Sequence, residues 1–358
     1  AHNPCICVAK SGRNPESVAS LIQLAELLAL PVMESGTDKM NFPTTHPLYG
    51  TGPNARDADA LLVIESPVAF TPGRSAPTAQ AKIIWVDVDP VQARYKTMEH
   101  RADMWLPVSA TGAIEAIYEA ATHLLTKGDM RRIEDRRARL IQRKLEMAKQ
   151  NEDLAAVASK RKPLHPRWVA YQLGQILEPD AILLDDALSN TPFVQAYHNR
   201  EQPSTYFKSG GSTGGWGSAA AFGAKLAKPN SDVVLTSGDG YFMFGTPLAG
   251  LWAAGHHGAP YLALVFVNGS YSTGTRGLKG TYPEGAAMRA ENYEGGLFDP
   301  PPDFAKLAEA ANGYGETVYE AEEVGPALKR GLEQVRNGTP AIIAAKIPTA
   351  VQEMKLAP

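Results

Sequence analysis

Two rhythms of apolar and polar positions run along this chain. Short unbroken apolar runs mark buried strands, and apolar residues recurring every three or four positions mark helical faces. Residues 5–9 form the first such run, and Ser11-Gly12-Arg13-Asn14-Pro15 after it reads as a turn and helix start. A helix over 16–30 follows, with Val18, Leu21, Ile22, Leu24, Ala25 and Leu28 on one face and Pro31 as its stop. Residues 60–65 and 82–88 are the next strands, the second running into Asp87-Val88-Asp89-Pro90. After Pro163 the alternation resumes with a helix over 166–177, a strand over 181–184, and a glycine-rich helix start near Gly210. Strands at 233–236 and 261–267, helices at 302–311 and 324–336, and a strand at 340–346 complete it. Strands alternating with helices predict an α/β fold with parallel sheets.

Composition narrows the class. With 44% hydrophobic and 20% charged residues over 358 positions, the chain reads as a soluble globular protein of about two domains. Thirty-five Lys and Arg against 38 Asp and Glu leave a net charge of −3, so no global field favours nucleic acid or an anionic membrane. No apolar run approaches the roughly 18 to 20 residues of a membrane span. The start, Ala-His-Asn-Pro, has neither a basic nor an apolar leader pattern, and a cytoplasmic protein is expected. Residues 127–162 carry twelve Lys or Arg against six acids but no interleaved aromatics for base stacking. They are expected to form a charged helical linker between domains at 1–126 and 163–358. Cys5 and Cys7 alternate along one strand and share a face; they read as core thiols, not as a disulfide framework or a zinc site.

The chemistry concentrates where the strand at 233–236 meets Ser237-Gly238-Asp239-Gly240. Ligands sit at the carboxyl ends of parallel strands. Glycines there let a backbone approach a diphosphate, and the carboxylate between them suits a hard divalent cation. A second apolar strand, Leu262 to Val267, ends 27 residues after Gly240 and leads into Asn268-Gly269-Ser270-Tyr271, which offers further oxygens. Alone, Gly-Asp-Gly is equally an ordinary turn.

The pair of motifs resembles the binding motif of thiamine-diphosphate enzymes, in which Gly-Asp-Gly precedes an Asn pair by some 25 to 30 residues. Here that pair reads Val267-Asn268. The small-residue run from Gly214 to Leu226, the stretch from Leu251 to Pro260 and the strand Ile83 to Pro90 are similar to acetolactate synthases and benzoylformate decarboxylases. The resemblance implies two doubly wound parallel-sheet domains, a Rossmann-like central domain and a diphosphate-binding domain. It implies magnesium on Asp239, Asn268 and the carbonyl of Ser270. It places the cofactor against Leu188, Ser189, Ser212, Thr213, Gly214, Gly238, Gly240, Tyr241 and Tyr271. Relatives carry a bulky residue at the position of Gly214 that props the cofactor in its bent form; either Thr213 or Trp216 takes that task through a shifted loop, or the cofactor geometry differs. Tyr241 stands where Ser or Ala is usual.

The expected activity is that of a 2-keto acid decarboxylase or carboligase. The activating glutamate belongs to a pyrimidine-binding domain, expected from a separate subunit or a missing N-terminal part, in a homo- or hetero-oligomer of dimeric or tetrameric active-site units. A flavin (FAD) in the central domain is an open alternative. So are a lyase acting on 2-hydroxyacyl or oxalyl thioesters of coenzyme A, a non-catalytic cofactor-binding or regulatory subunit, and a nucleotide-binding protein in which Gly-Asp-Gly is coincidental. Among other candidates, Asp185 and Asp186 on adjacent strand positions face opposite ways and are expected to be structural, with Ser189 or Asn190 capping a helix. His256 and His257 are expected to pack or face solvent. Residues 274–296 read as a disordered or mobile cover, with Tyr271, Arg276 and Tyr282 as substrate contacts.

Overall fold

The computed structural model describes residues 1–35, 38–71, 73–90, 100–209, 213–291, 293, 295–298, 300–349 and 352. The chain divides into two compact units, residues 1–150 with 200–211 and residues 151–199 with 212–358.

In the first unit the elements are β1 (Pro4–Val8), α1 (Pro15–Leu28), β2 (Val32–Glu34), β3 (Ala60–Ile64), β4 (Lys82–Asp87), β5 (Met104–Pro107) and α2 (Ala110–Leu124), followed by α3 (Lys127–Ala158). The strands form one parallel sheet in the order β2-β1-β3-β4-β5. Its strands β1 and β3 are wholly apolar and pack on both faces, as parallel sheets require. Ile6, Val8, Ile64 and Val86 meet α1 and α2 on one side, while Cys5, Cys7, Val63, Ile83 and Trp85 form the other layer. The two thiols are free, buried and on one face, as the alternation predicts. Asn14 caps α1 through Glu16 N, and Pro15 occupies the first turn. The helix ends at Leu28, before Pro31, because Ala29 turns left-handed at φ 47°. The basic helix α3 is more than a solvated connector. Ile133 and Leu140 are buried, and Arg136 caps α1 by donating to Leu28 O and Ala29 O.

The second unit begins with α4 (Pro166–Ile176), β6 (Ile182–Asp186) and α5 (Thr191–Tyr197); β7 (Tyr206–Lys208) falls in the segment that belongs to the first unit. Then come α6 (Gly217–Ala227), β8 (Val233–Gly238), α7 (Asp239–Phe244), α8 (Pro247–His256), β9 (Leu262–Val267), α9 (Ser272–Thr281) and α10 (Ala286–Ala290). The last elements are α11 (Phe304–Ala310), β10 (Tyr314–Val318), α12 (Ala321–Arg336) and β11 (Ala341–Lys346). The unit's strands lie in the order β10-β11-β9-β8-β6, all parallel. The central strands β8 and β9 are buried almost throughout, which is why they appear in the sequence as unbroken apolar runs. The glycine-rich helix starts at Gly217; Gly210 lies outside the described residues. Residues 274–296, expected to be a disordered or mobile cover, contain most of α9 and all of α10, so the stretch is not structureless throughout. Among the described residues no helix is long and apolar enough to cross a membrane.

Candidate functional site

Three strand ends lie side by side in the second unit. Asp186 of β6 pairs with Ser237 of β8, and Gly238 of β8 pairs with Phe266 of β9. The residues that follow each strand therefore rise from one edge of the sheet, the edge at which parallel α/β sheets bind ligands.

Asp239 is 2% exposed. Its Oδ1 accepts from Gly240 N at 2.9 Å and its Oδ2 from Gly269 N at 2.7 Å. Burial nevertheless pushes its pKa up to about 6, against the pull of the amides of Gly269, Gly240 and Asn268 and the charge of Lys346. Asn268, also buried, accepts at Oδ1 from Ser270 N (2.9 Å) and Ser270 Oγ (3.1 Å). Its Nδ2 donates to Ser272 Oγ at 2.8 Å, and the hydroxyls of Ser270 and Ser272 lie 3.0 Å apart. Because Gly269 bonds Asp239, its flanking residues Asn268 and Ser270 are held beside that carboxylate. Carboxylate, amide oxygen and main-chain carbonyl make an all-oxygen set suited to a hard cation. A buried carboxylate whose pKa is raised by desolvation is a negative charge the protein leaves undercompensated, and a bound divalent ion would neutralise it. Among the described residues, no group of three or more His, Cys, Asp or Glu side chains could hold a metal.

The turn after β6 sits beside this set. Ala187 O lies 3.7 Å from where a Cβ on Gly238 would stand, and Leu188 adopts a left-handed backbone at φ 43°. A leucine there is strained, a state tolerated where the surrounding structure demands it. Asp185 fixes the turn: its Oδ1 accepts from Ala187 N, Thr191 Oγ1 and Thr236 Oγ1, each at 3.1 Å. The expected cap from Ser189 or Asn190 is not made; α5 starts with no side-chain cap from Asn190, and Asp185 ties Thr191 instead. Asp186 faces the other way, as adjacent strand residues must. Its Oδ2 accepts from Gly215 N (2.9 Å) and Gly217 N (3.3 Å) and so holds the turn before α6.

Asp186 also predicts a pH effect. Burial, with repulsion from Asp185, outweighs those amides and pushes its pKa up to about 6 from 3.8. The folded state then holds the proton more tightly than the unfolded chain, so this group's contribution to stability is lost as pH rises from about 4 through about 6. Asp186→Asn keeps an acceptor and removes the charge. Relative to wild type it is expected to gain about 2 kcal/mol between pH 4.5 and 7.5, read from denaturant midpoints. An unchanged difference between the two proteins across that range would refute the assignment.

Aromatic rings border the site. Gly240 is required by Tyr271, whose Cε1 would stand 2.7 Å from a Cβ there. Tyr271 in turn stacks on Phe244 (5.7 Å between centroids) and meets Phe298 edge-on at 4.6 Å. It also borders a cavity of about 560 Å³ lined by Leu278, Ala286, Ala290 and Tyr293. Gly214 faces Tyr241, whose ring fills the volume a side chain at 214 would take. Ser212 lies outside the described residues. His256 and His257 end α8, which leads into the amino end of β9, far along that strand from Asn268; both are exposed and packed against Trp252 and Phe222. Arg276 and Tyr282 are exposed, Tyr282 at 63%. Sequence reasoning missed Ser272, which orients Asn268, and the partnership of Tyr271 with Phe244 and Phe298. Only the four-residue spacing of Asn268 and Ser272 could have signalled the former.

In the first unit the turn after β1 and the tip of β2 are tied to each other through Asn41. Gly12 N donates to Asn41 Oδ1 (2.9 Å), and a Cβ on Gly12 would stand 1.9 Å from Met40 O. Glu34 at the tip of β2 accepts from Asn41 N, Asn41 Nδ2 and Tyr49 OH.

Comparison with known proteins agrees with this geometry. Residues 1–117 match the central domain of thiamine pyrophosphate enzymes, and residues 189–345 match their C-terminal thiamine pyrophosphate binding domain. Benzoylformate decarboxylase of Pseudomonas aeruginosa is 29% identical over 360 residues, covering 96% of this chain and 60% of its own length. A probable acetolactate synthase large subunit of Methanococcus aeolicus is 25% identical over 342 residues, covering 90% of this chain and 54% of its own. Among solved structures, the thiamine diphosphate-dependent 4-hydroxybenzoylformate decarboxylase of Rhodococcus jostii RHA1 superposes with a TM-score of 0.72 at 19% identity, covering 97% of this chain and 62% of that one. The chain thus spans a little over half the length of these relatives. With both domain matches and the two parallel sheets in agreement, the chain belongs to the thiamine-diphosphate-dependent enzyme family of benzoylformate decarboxylases and acetolactate synthases.

Proposed function

We propose that this chain supplies the diphosphate and magnesium side of a 2-keto acid decarboxylase or carboligase. The observation that carries the reading is the buried Asp239 carboxylate, bonded through Gly269 to the Asn268–Ser270 segment at the neighbouring strand end. Asp239, Asn268 Oδ1 and the carbonyl of Ser270 would hold magnesium, with diphosphate oxygens and water completing its octahedron. The turn at Leu188 and Ser189 would meet the diphosphate. When bound, thiamine diphosphate supplies a nucleophilic carbon and an electron sink for loss of carbon dioxide.

The chain's own residues act by position. Asp185 braces the turn after β6 and Asp186 the turn before α6, and Ser270 and Ser272 fix the Asn268 amide. Tyr271 packs against Phe244 and Phe298 beside the Asp239–Asn268 edge. In this reading the activating glutamate comes from a pyrimidine-binding domain outside these 358 residues, in an assembly of at least two active-site units.

Calorimetric titration of the chain with thiamine diphosphate, with and without magnesium, tests the reading. Saturable binding that requires the metal is the expected result. Binding indifferent to magnesium, or none with the metal present, would count against it.

A further inference from the structure

Of the two glycine–tyrosine contacts at the site, that of Gly214 with Tyr241 is closer than that of Gly240 with Tyr271, where a Cβ would stand 2.7 Å from the ring. A Cβ built on Gly214 would stand 2.2, 2.3 and 2.4 Å from Cδ1, Cγ and Cε1 of Tyr241. Three ring atoms lie far inside van der Waals contact of the position where any other residue would begin its side chain, so the ring has taken over that volume.

Neither side of the pair is free to drift. The turn carrying Gly214 is anchored from β6, because Asp186 accepts from Gly215 N and Gly217 N. Gly215, at φ +94°, presses its backbone on Phe244 and Gly245: a Cβ on it would stand 2.7 Å from Gly245 N, and one on Gly245 would stand 2.7 Å from Gly215 O. The helix carrying Tyr241 is anchored from β8 through Asp239, two residues earlier. The next residue, Phe242, is 1% exposed and turned inward onto Phe304. Helical rotation of about 100° per residue therefore sends Tyr241 toward the turn, where it stands half-buried.

We propose that Tyr241 is a positioning residue of the cofactor cleft: its ring builds the wall that position 214 cannot build, and the two positions work as one interlocked pair. The proposal rests on the reading of this edge as a thiamine-diphosphate site. It places the effect in the aromatic ring and not in the hydroxyl, so Tyr241→Phe is the conservative variant and Tyr241→Ala the disruptive one. It also predicts that the volume can be handed back, since a leucine at 214 reaches the space that the ring vacates.

Four variants of the full chain test it: Tyr241→Phe, Tyr241→Ala, Gly214→Leu, and Tyr241→Ala with Gly214→Leu. Each is titrated with thiamine diphosphate and magnesium and unfolded thermally without either. Tyr241→Phe is expected within about twofold of wild-type affinity and Tyr241→Ala to be weakened at least about tenfold, with the double variant recovering most of that loss. Without cofactor, Gly214→Leu is expected to lower the unfolding midpoint and Tyr241→Ala to relieve that loss in the double variant. Wild-type affinity in Tyr241→Ala, or a double variant as weak as Tyr241→Ala, overturns the proposal while leaving the functional reading intact. Additive midpoints in the thermal cycle overturn it independently of any cofactor. A wild-type chain that fails to bind thiamine diphosphate with magnesium defeats the functional reading, and this proposal with it.

Discussion

Asp239→Asn is expected to abolish magnesium-dependent binding of thiamine diphosphate and yet to leave the chain folded. The buried carboxylate is the one formal negative charge in the proposed cation set, so the amide that replaces it forfeits the ionic part of the interaction. An affinity loss of at least about a hundredfold is expected, since breaking a buried charge pair costs about 3 kcal/mol or more. Stability moves differently. The carboxylate's pKa stands at about 6 in the folded chain against 3.8, because burial outweighs its backbone donors. Folded chain therefore holds this proton more tightly than unfolded chain, and stability from this group falls as pH rises from about 4 through about 6. Asparagine does not titrate, so between pH 4.5 and pH 8 the variant gains roughly 2 kcal/mol on wild type. Against that, one of the two amides of Gly240 and Gly269 loses its acceptor, a pH-independent cost of about 1–3 kcal/mol. Calorimetry and denaturant midpoints at the two pH values read both effects. Retained metal-dependent binding would remove Asp239 from the site, and a stability difference that ignores pH would remove the uncompensated charge.

This opposition explains what was legible before the fold was known. Asp239 and Asn268 each follow an apolar run without a break, so strand, edge and oxygen chemistry could be read together. The central strands of both sheets announced themselves for the same reason, since burial on two faces leaves no polar positions. The short outer strands β2, β5 and β10 are partly exposed, interrupt their apolar run and were not singled out. α9 was hidden by composition. Ser272-Thr273-Gly274-Thr275-Arg276-Gly277 has poor intrinsic helix propensity, and the helix is held by tertiary contacts of Ser272 and Thr275, both buried. The interlock of Gly214 and Tyr241 lies deeper still: 27 positions separate them, and each substitution looks like a loss until the ring is placed in the other's empty volume.

Removing the Phe266 ring is expected to give the opposite signature. Phe266 is fully buried near the end of β9, with Gly238 of β8 on one side and Ala345 of β11 on the other. Its register partners carry no side chain or a single methyl, so the ring alone fills that layer and little nearby can collapse into the space it leaves. Phe266→Ala should therefore cost about 3–5 kcal/mol, a drop in unfolding midpoint on the order of 10 °C for a unit of this size. Phe266→Leu, which restores most of the volume, should recover more than half. Asn268 lies two residues beyond Phe266, but its orientation is fixed by Ser270 and Ser272 rather than by the ring. Below its midpoint, Phe266→Ala is accordingly expected to bind thiamine diphosphate and magnesium within about tenfold of wild type, where Asp239→Asn does not bind at all. Thermal unfolding and titration of both variants on one preparation separate the two roles. If Phe266→Ala lost binding as completely as Asp239→Asn while still folded, the strand end and not the local hydrogen bonds would be setting the geometry of the cation site.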